Sequence, residues 1–245
     1  MKTLIYLLLF AVCVFCSCEK ESQPALNSYI DNPESEQPLS WETGFIQGYL
    51  DADTICGWQE HDTDNMSVLF PKMHFWLEGT TYFDNPHWVT EGSRLYQKYA
   101  EQLGDTAFPR TIIRGRDRRE IMAINKILGI EVICNVDFDN DHKAGSSVSD
   151  LLTFRGNSPV NYIKNGYKFF GEIETTPQTF SEHHWSAYEE IAVNAAKISD
   201  KDVQFYEYYF DLSFDQLPEK PGTYTFDVIV KFTEKELKTT VTMKF

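Results

Sequence analysis

QFYEYYFDLSFDQLPEKPGTYTFDVIVKFTEKELKTTVTMKF, residues 204–245, carries the clearest pattern in the chain. From Tyr206 the alternate positions read Tyr206, Tyr208, Phe210, Leu212 and Phe214, with Glu207, Asp211 and Ser213 between them, a period of two. After LPEKPG (217–222) the alternation resumes as Tyr224, Phe226, Val228, Val230 and Phe232, and after TEKE (233–236) as Leu237, Thr239, Val241, Met243 and Phe245. The pattern predicts three strands joined by short turns, each with one apolar and one polar face. A slip of one residue would turn the aromatic row into water, so the register is fixed and the row needs a second layer to cover it.

The opposite end of the chain reads as an export signal. Lys2 precedes LIYLLLFAVCV (4–14), an apolar run too short to span a bilayer, so residues 1–17 are expected to be a signal peptide. Phe15, Cys16, Ser17 and Cys18 resemble the cleavage box of bacterial lipoproteins, with Phe15 in place of the usual aliphatic residue. The resemblance implies that Cys18 is lipidated and becomes the new N-terminus. More than one acyl chain at ~0.8 kcal/mol per buried methylene makes a stable anchor. The alternative is an ordinary cleaved signal that leaves the protein in the periplasm. Glu19, Lys20, Glu21 and Ser22 resemble the charged segment that follows the lipid cysteine in surface-exported lipoproteins of the Bacteroidota type, which implies the outer membrane or cell surface. Residues 18–40, rich in Glu, Ser, Pro and Asn, then read as a flexible tether, and the folded part as residues 41–245 with a sub-boundary near residue 110.

Without the signal, 21 basic residues face 37 acidic ones, a net charge of −16. Such a surface argues against nucleic acid as a partner, because nonspecific binding needs basic patches that displace counterions. Two cysteines remain beyond the anchor, Cys56 and Cys134. In an oxidising envelope they could pair, or stand as two small buried thiols.

Between tether and C-terminal strands the reading is coarser. SVLFPKMHFWLEGTTYFDNPHW (67–88) predicts two short strands around Gly79. SRLYQKYAEQL (93–103) predicts a helix with Gly104 as its C-cap. EIMAINKILGIEVICNVDFDNDH (120–142) predicts two strands broken at Gly129, and 139–150 a loop. Residues 160–175 predict a hairpin turning at Asn165 and Gly166. HWSAYEEIAVNAAKI (184–198) has helical spacing, with a strand also fitting its second half. About eight to ten strands with one or two short helices predict a mainly β chain, an antiparallel, immunoglobulin-like β-sandwich. DFDNDHKAGSSVSDLL (137–152) and PGTYTFDVIVKF (221–232), within Ile121–Phe245, resemble the β-sandwich lipoproteins of uncharacterised function of gut-type Bacteroidota. That resemblance implies fold and location, and no catalytic residues.

Four constellations could carry chemistry. Asp137, Asp139 and Asp141 begin like a calcium loop, but His142 stands where such a loop needs Gly and Val148 where it needs Glu, and a solvated acidic turn fits as well. Glu182, His183, His184 and Glu189 lack a zinc-site spacing. Arg114, Arg116, Arg118 and Arg119 stand in RTIIRGRDRRE (110–120), which holds five of the seven arginines; guanidinium forks bind carboxylate or phosphate, and a loop held by Asp117 and Glu120 is the plainer reading. Trp76 and Trp88 belong to an aromatic, His-rich region with Trp41 and Trp58, where rings either stack on sugars or fill the core. No cofactor motif appears. The expected role is a noncatalytic binding or structural component of the envelope, in glycan or nutrient capture with a glycan or protein partner. The alternative is a hydrolase that uses carboxylates on glycans.

Overall fold

The computed structural model describes residues 44–59, 71–83, 90–108, 120–169 and 184–245. The expected signal peptide and tether, the arginine cluster, Trp88, His183 and Glu182 lie outside the described residues. The strands are β1 (Gly48–Gln59), β2 (Lys72–Phe83), β3 (Ile121–Ala123), β4 (Ile127–Cys134), β5 (Leu152–Ser158), β6 (Glu189–Asn194), β7 (Tyr206–Glu207), β8 (Tyr209–Phe214), β9 (Thr223–Phe232) and β10 (Glu236–Lys244). Two α-helices, α1 (Glu91–Leu103) and α2 (Val160–Lys164), complete the main elements.

The chain is mainly β and forms two sheets. Seven strands run in the order β6-β5-β8-β2-β1-β3-β7 and three in the order β10-β9-β4. Among the described residues all ladders are antiparallel except the short parallel pair of β1 with β3. The C-terminal alternation forms strands as it predicts, but its first stretch breaks at Tyr208 into β7 and β8, and the strands are divided between the sheets. β8 lies inside the large sheet between β5 and β2, while β9 and β10 pair in the small one. Phe210, Leu212 and Phe214 therefore meet Tyr224, Phe226, Val228 and Val241 across the gap, in one core with Met73, Phe75 and Phe154. Stacked Phe75–Phe210 and Phe138–Phe214 rings, with centroids 5.0 and 5.4 Å apart, fill its centre.

A second core covers the other face of the large sheet at its β1-β3 end. Tyr49 and Met122 project there between inward-facing neighbours, and Tyr96, Ala100 and Leu103 of α1 with Tyr162 and Ile163 of α2 pack onto them. α1 begins at Thr90, whose side chain accepts from the Ser93 amide while the Ser93 hydroxyl accepts from the Thr90 amide. It ends at Gly104, which takes the left-handed conformation at φ 79°. The next residue, Asp105, is fully buried. Its carboxylate accepts from the amides of Phe45 and Ile46 at 2.6 and 2.8 Å and from the Tyr167 hydroxyl at 3.0 Å. Burial pushes the Asp105 carboxyl above its usual value, against the downward pull of these donors. A methyl group at Gly44 would stand 2.4 Å from an Asp105 oxygen, so the chain can enter the fold here only through a residue without a side chain. Ser40–Phe245 group as one compact unit.

Several local expectations are corrected. Gly79 does not separate two strands, because β2 runs straight through it. A bulge in β1 at Asp53 brings the Asp51 carbonyl oxygen within 2.1 Å of where a Gly79 methyl group would sit, so glycine is required for close approach rather than for a turn. Gly129 likewise marks a bulge within β4, and the chain break falls earlier, at 124–126. Asn165 and Gly166 end α2 instead of turning a hairpin: Gly166 and Tyr167 both have positive φ, and their amides bond to Ile163 and Tyr162 carbonyls. The second arm of that predicted hairpin falls largely outside the described residues. In the 184–198 stretch the strand reading prevails, as β6 between two short 3-10 turns.

Candidate functional site

The second core stops short of the other end of the large sheet. There the outward face carries a row of directly paired residues. Trp58 of β1 pairs with His74 of β2, His74 with Asp211 of β8, and Asp211 with Arg155 of β5. Paired residues of an antiparallel ladder share a face, so the four side chains line up across four strands. Inward, their neighbours Gly57, Phe75, Phe210 and Phe154 belong to or border the sandwich core, where a methyl group on Gly57 would stand 2.7 Å from Val241.

Contacts along the row hold its geometry. The Trp58 indole stacks on the His74 imidazole with centroids 5.9 Å apart and planes 26° from parallel, and Trp58 remains 46% exposed. His74 Nδ1 lies 2.7 Å from Asp211 Oδ1, and Lys72 Nζ stands 3.7 Å from Asp211 Oδ2. Arg155 donates through Nη1 to Glu190 of β6 at 2.8 Å. Among the described residues of the row, Lys72 and Arg155 stand against Asp211 and Glu190. A second row one step along the strands pairs Cys56 with Trp76 and Trp76 with Tyr209, which is 37% exposed. Trp76 meets Tyr208 edge-on at 4.6 Å. Of the aromatic candidates, Trp76 thus lies on this face, Trp58 is its more open member, and Trp88 lies outside the described residues.

The carboxylates of Asp137 and Asp139 are engaged otherwise than in a calcium loop, and Asp141 takes part through its amide. Asp139 Oδ1 accepts from the amides of Asp141 and His142, the His142 ring bridges Asp139 and Asp150, Gln216 donates to Asp139 Oδ2, and Asp137 accepts from the Ala144 amide. These bonds close the loop on itself. Among the described residues no group of three or more His, Cys, Asp or Glu is placed to hold a metal ion. Desolvation pushes the His142 pKa down, and the hydrogen bonds to Asp139 and Asp150 outweigh it, so the net shift is upward. Cys56 and Cys134 do not form a disulfide, with Cys134 buried in the sandwich core and Cys56 on the outer face of β1. Of the neighbouring carboxylates Glu189 and Glu190, the first accepts from Asn161 and the second from Arg155.

Sequence reading places Trp58 in the aromatic region but misses its strand, and it misses Arg155 together with its strand. In β1 the bulge at Asp53 resets the alternation, so Ala52 and Ile55 both face inward three positions apart. In β5 a signal was present: Leu152 and Phe154 face in while Thr153 and Arg155 face out, but only two large apolar residues carry it. Comparison with family models, with curated proteins and with solved structures gave no match.

Proposed function

We propose that this protein is a lipid-anchored component of the cell envelope that binds its ligand without transforming it, in glycan or nutrient capture. Cys18 would carry the anchor, and the tether of residues 18–40 would hold the folded unit away from the outer membrane. One observation carries the binding reading: at one end of the large sheet, exposed Trp58 and Tyr209 share a face with a line of hydrogen-bonding side chains. Aromatic faces flanked by a few placed polar groups are what ligand sites generally contain. A glycoside hydrolase would need two carboxyl groups flanking a scissile bond, one of them held as an acid. Here Asp211 and Glu190 are each tied to a base, which favours holding a ligand over cleaving it.

Two readouts test this proposal together. Cys18→Ser should move the protein from the membrane fraction to the soluble one, and retention of the variant on membranes would refute the anchor. Soluble glycans from envelope or diet should shield tryptophan emission from acrylamide quenching, and quenching that is the same with and without every glycan tried would refute the binding face.

A further inference from the structure

We infer that the ligand of this face is an uncharged glycan chain lying across the strands, with successive sugar rings meeting Trp58, His74, Asp211 and Arg155 in turn. This rests on the binding reading above and narrows it to one chemical class and one orientation. The first argument is spacing. Outward side chains repeat along a strand every second residue, about 6.8 Å, whereas neighbouring strands lie about 4.8 Å apart. The second interval is close to the advance per ring of an extended, β-linked pyranose chain. A chain laid across the sheet therefore finds one side chain per ring, while a chain laid along a strand falls out of step.

Charge is the second argument. The protein carries a net charge of −15, yet Lys72 and Arg155 offset Asp211 and Glu190 along this row. A polyanion would meet two carboxylates on an acidic protein, and a polycation would find the rest of the surface more attractive than this balanced strip. An uncharged chain has neither conflict. Hydrogen-bonding capacity is the third. Asp211 uses Oδ1 on His74, and among the described residues Oδ2 has the 3.7 Å contact with Lys72, a distance at which that oxygen can still accept from a hydroxyl. Arg155 spends Nη1 on Glu190, and a guanidinium has further N–H donors for ring or hydroxyl oxygens. One face of the Trp58 indole lies on His74, and its 46% exposure leaves the other for the apolar face of a sugar.

Affinity electrophoresis of the full-length protein in detergent tests the inference, with hydroxyethylcellulose, xyloglucan and galactomannan as uncharged probes and polygalacturonate and heparin as anionic ones. Retardation is expected in at least one uncharged gel, weakened about tenfold in apparent affinity by Trp58→Ala and also weakened by Arg155→Ala. The Arg155 variant removes only a solvent-exposed ion pair, so it remains informative if Trp58→Ala fails to fold. Retardation in anionic gels alone, or retardation in uncharged gels that neither substitution weakens, would overturn the inference and leave the broader binding reading intact. Migration unchanged in every gel would overturn both.

Discussion

The two cores of this molecule are built by different means. The sandwich core, between the sheets, is assembled from strands of regular alternation, and its members are almost all aliphatic or aromatic. The core beneath α1 and α2 is rich in tyrosine and is tied together by a buried carboxylate. Asp105 holds the amides of Phe45 and Ile46, and the Tyr96 hydroxyl donates to the Ile46 carbonyl at 2.7 Å. The first core is specified by area and shape, the second by directional bonds between segments 50 to 60 residues apart in sequence. Non-directional burial tolerates adjustment, whereas a buried polar group left without its partner costs its full desolvation.

Breaking each core in its own currency tests that contrast. The largest effect is expected in the sandwich, where Phe226→Ala should cost about 3–5 kcal/mol by leaving a cavity between the sheets, read from urea denaturation. Asp105→Ala should follow at about 2–4 kcal/mol, because two buried backbone donors lose their acceptor. A loss below about 1 kcal/mol would show that water or other groups take over and that the carboxylate is not the tie. The hydroxyls sharpen the comparison further. The Tyr206 hydroxyl is buried in the sandwich core without a partner, whereas that of Tyr167 bonds to Asp105. Tyr206→Phe should therefore leave stability unchanged or raise it by up to about 1 kcal/mol, and Tyr167→Phe should lower it by about 1 kcal/mol.

The smallest effect lies at the rim of the sandwich, in the loop that Phe138 pins to the core. Because the pKa of His142 is raised above 6.5, its bonds to Asp139 and Asp150 stabilise the fold fully below pH 6.5 and lose that contribution as pH rises through the folded-state value. The Asp139 carboxyl is drawn below its ordinary range, desolvation notwithstanding, by bonds from His142 and Asp141, so it stays ionised throughout this window. The melting-temperature difference between the native protein and His142→Asn should be widest near pH 6 and shrink toward pH 9. A difference that grows with pH would contradict the sign of this linkage.

How much of this was legible depends on which interactions are local. α1 could be read because its apolar spacing and Gly104 lie within one stretch, and β9 and β10 because a two-residue period needs no knowledge of the partner. β1 could not, because its bulge at Asp53 breaks the period, and the bulge is accommodated by Gly79 on another strand, which leaves room for the Asp51 carbonyl. The Asn165-Gly166 pair misled for the reverse reason: the same left-handed geometry that turns hairpins also ends helices, and only the surroundings of Tyr162 choose between them.

By itself the sequence determined that the chain is mainly β and that its final strands turn an aromatic face inward, since alternation and turn chemistry are properties of neighbouring residues. Tertiary structure alone decided that β8 leaves β9 for the opposite sheet, that Asp105 joins the start of the fold to α1, and that Trp58, His74, Asp211 and Arg155 stand in one row. These depend on which strands pair and in what register, and pairing is settled by burial summed over the whole core, a quantity no local stretch contains.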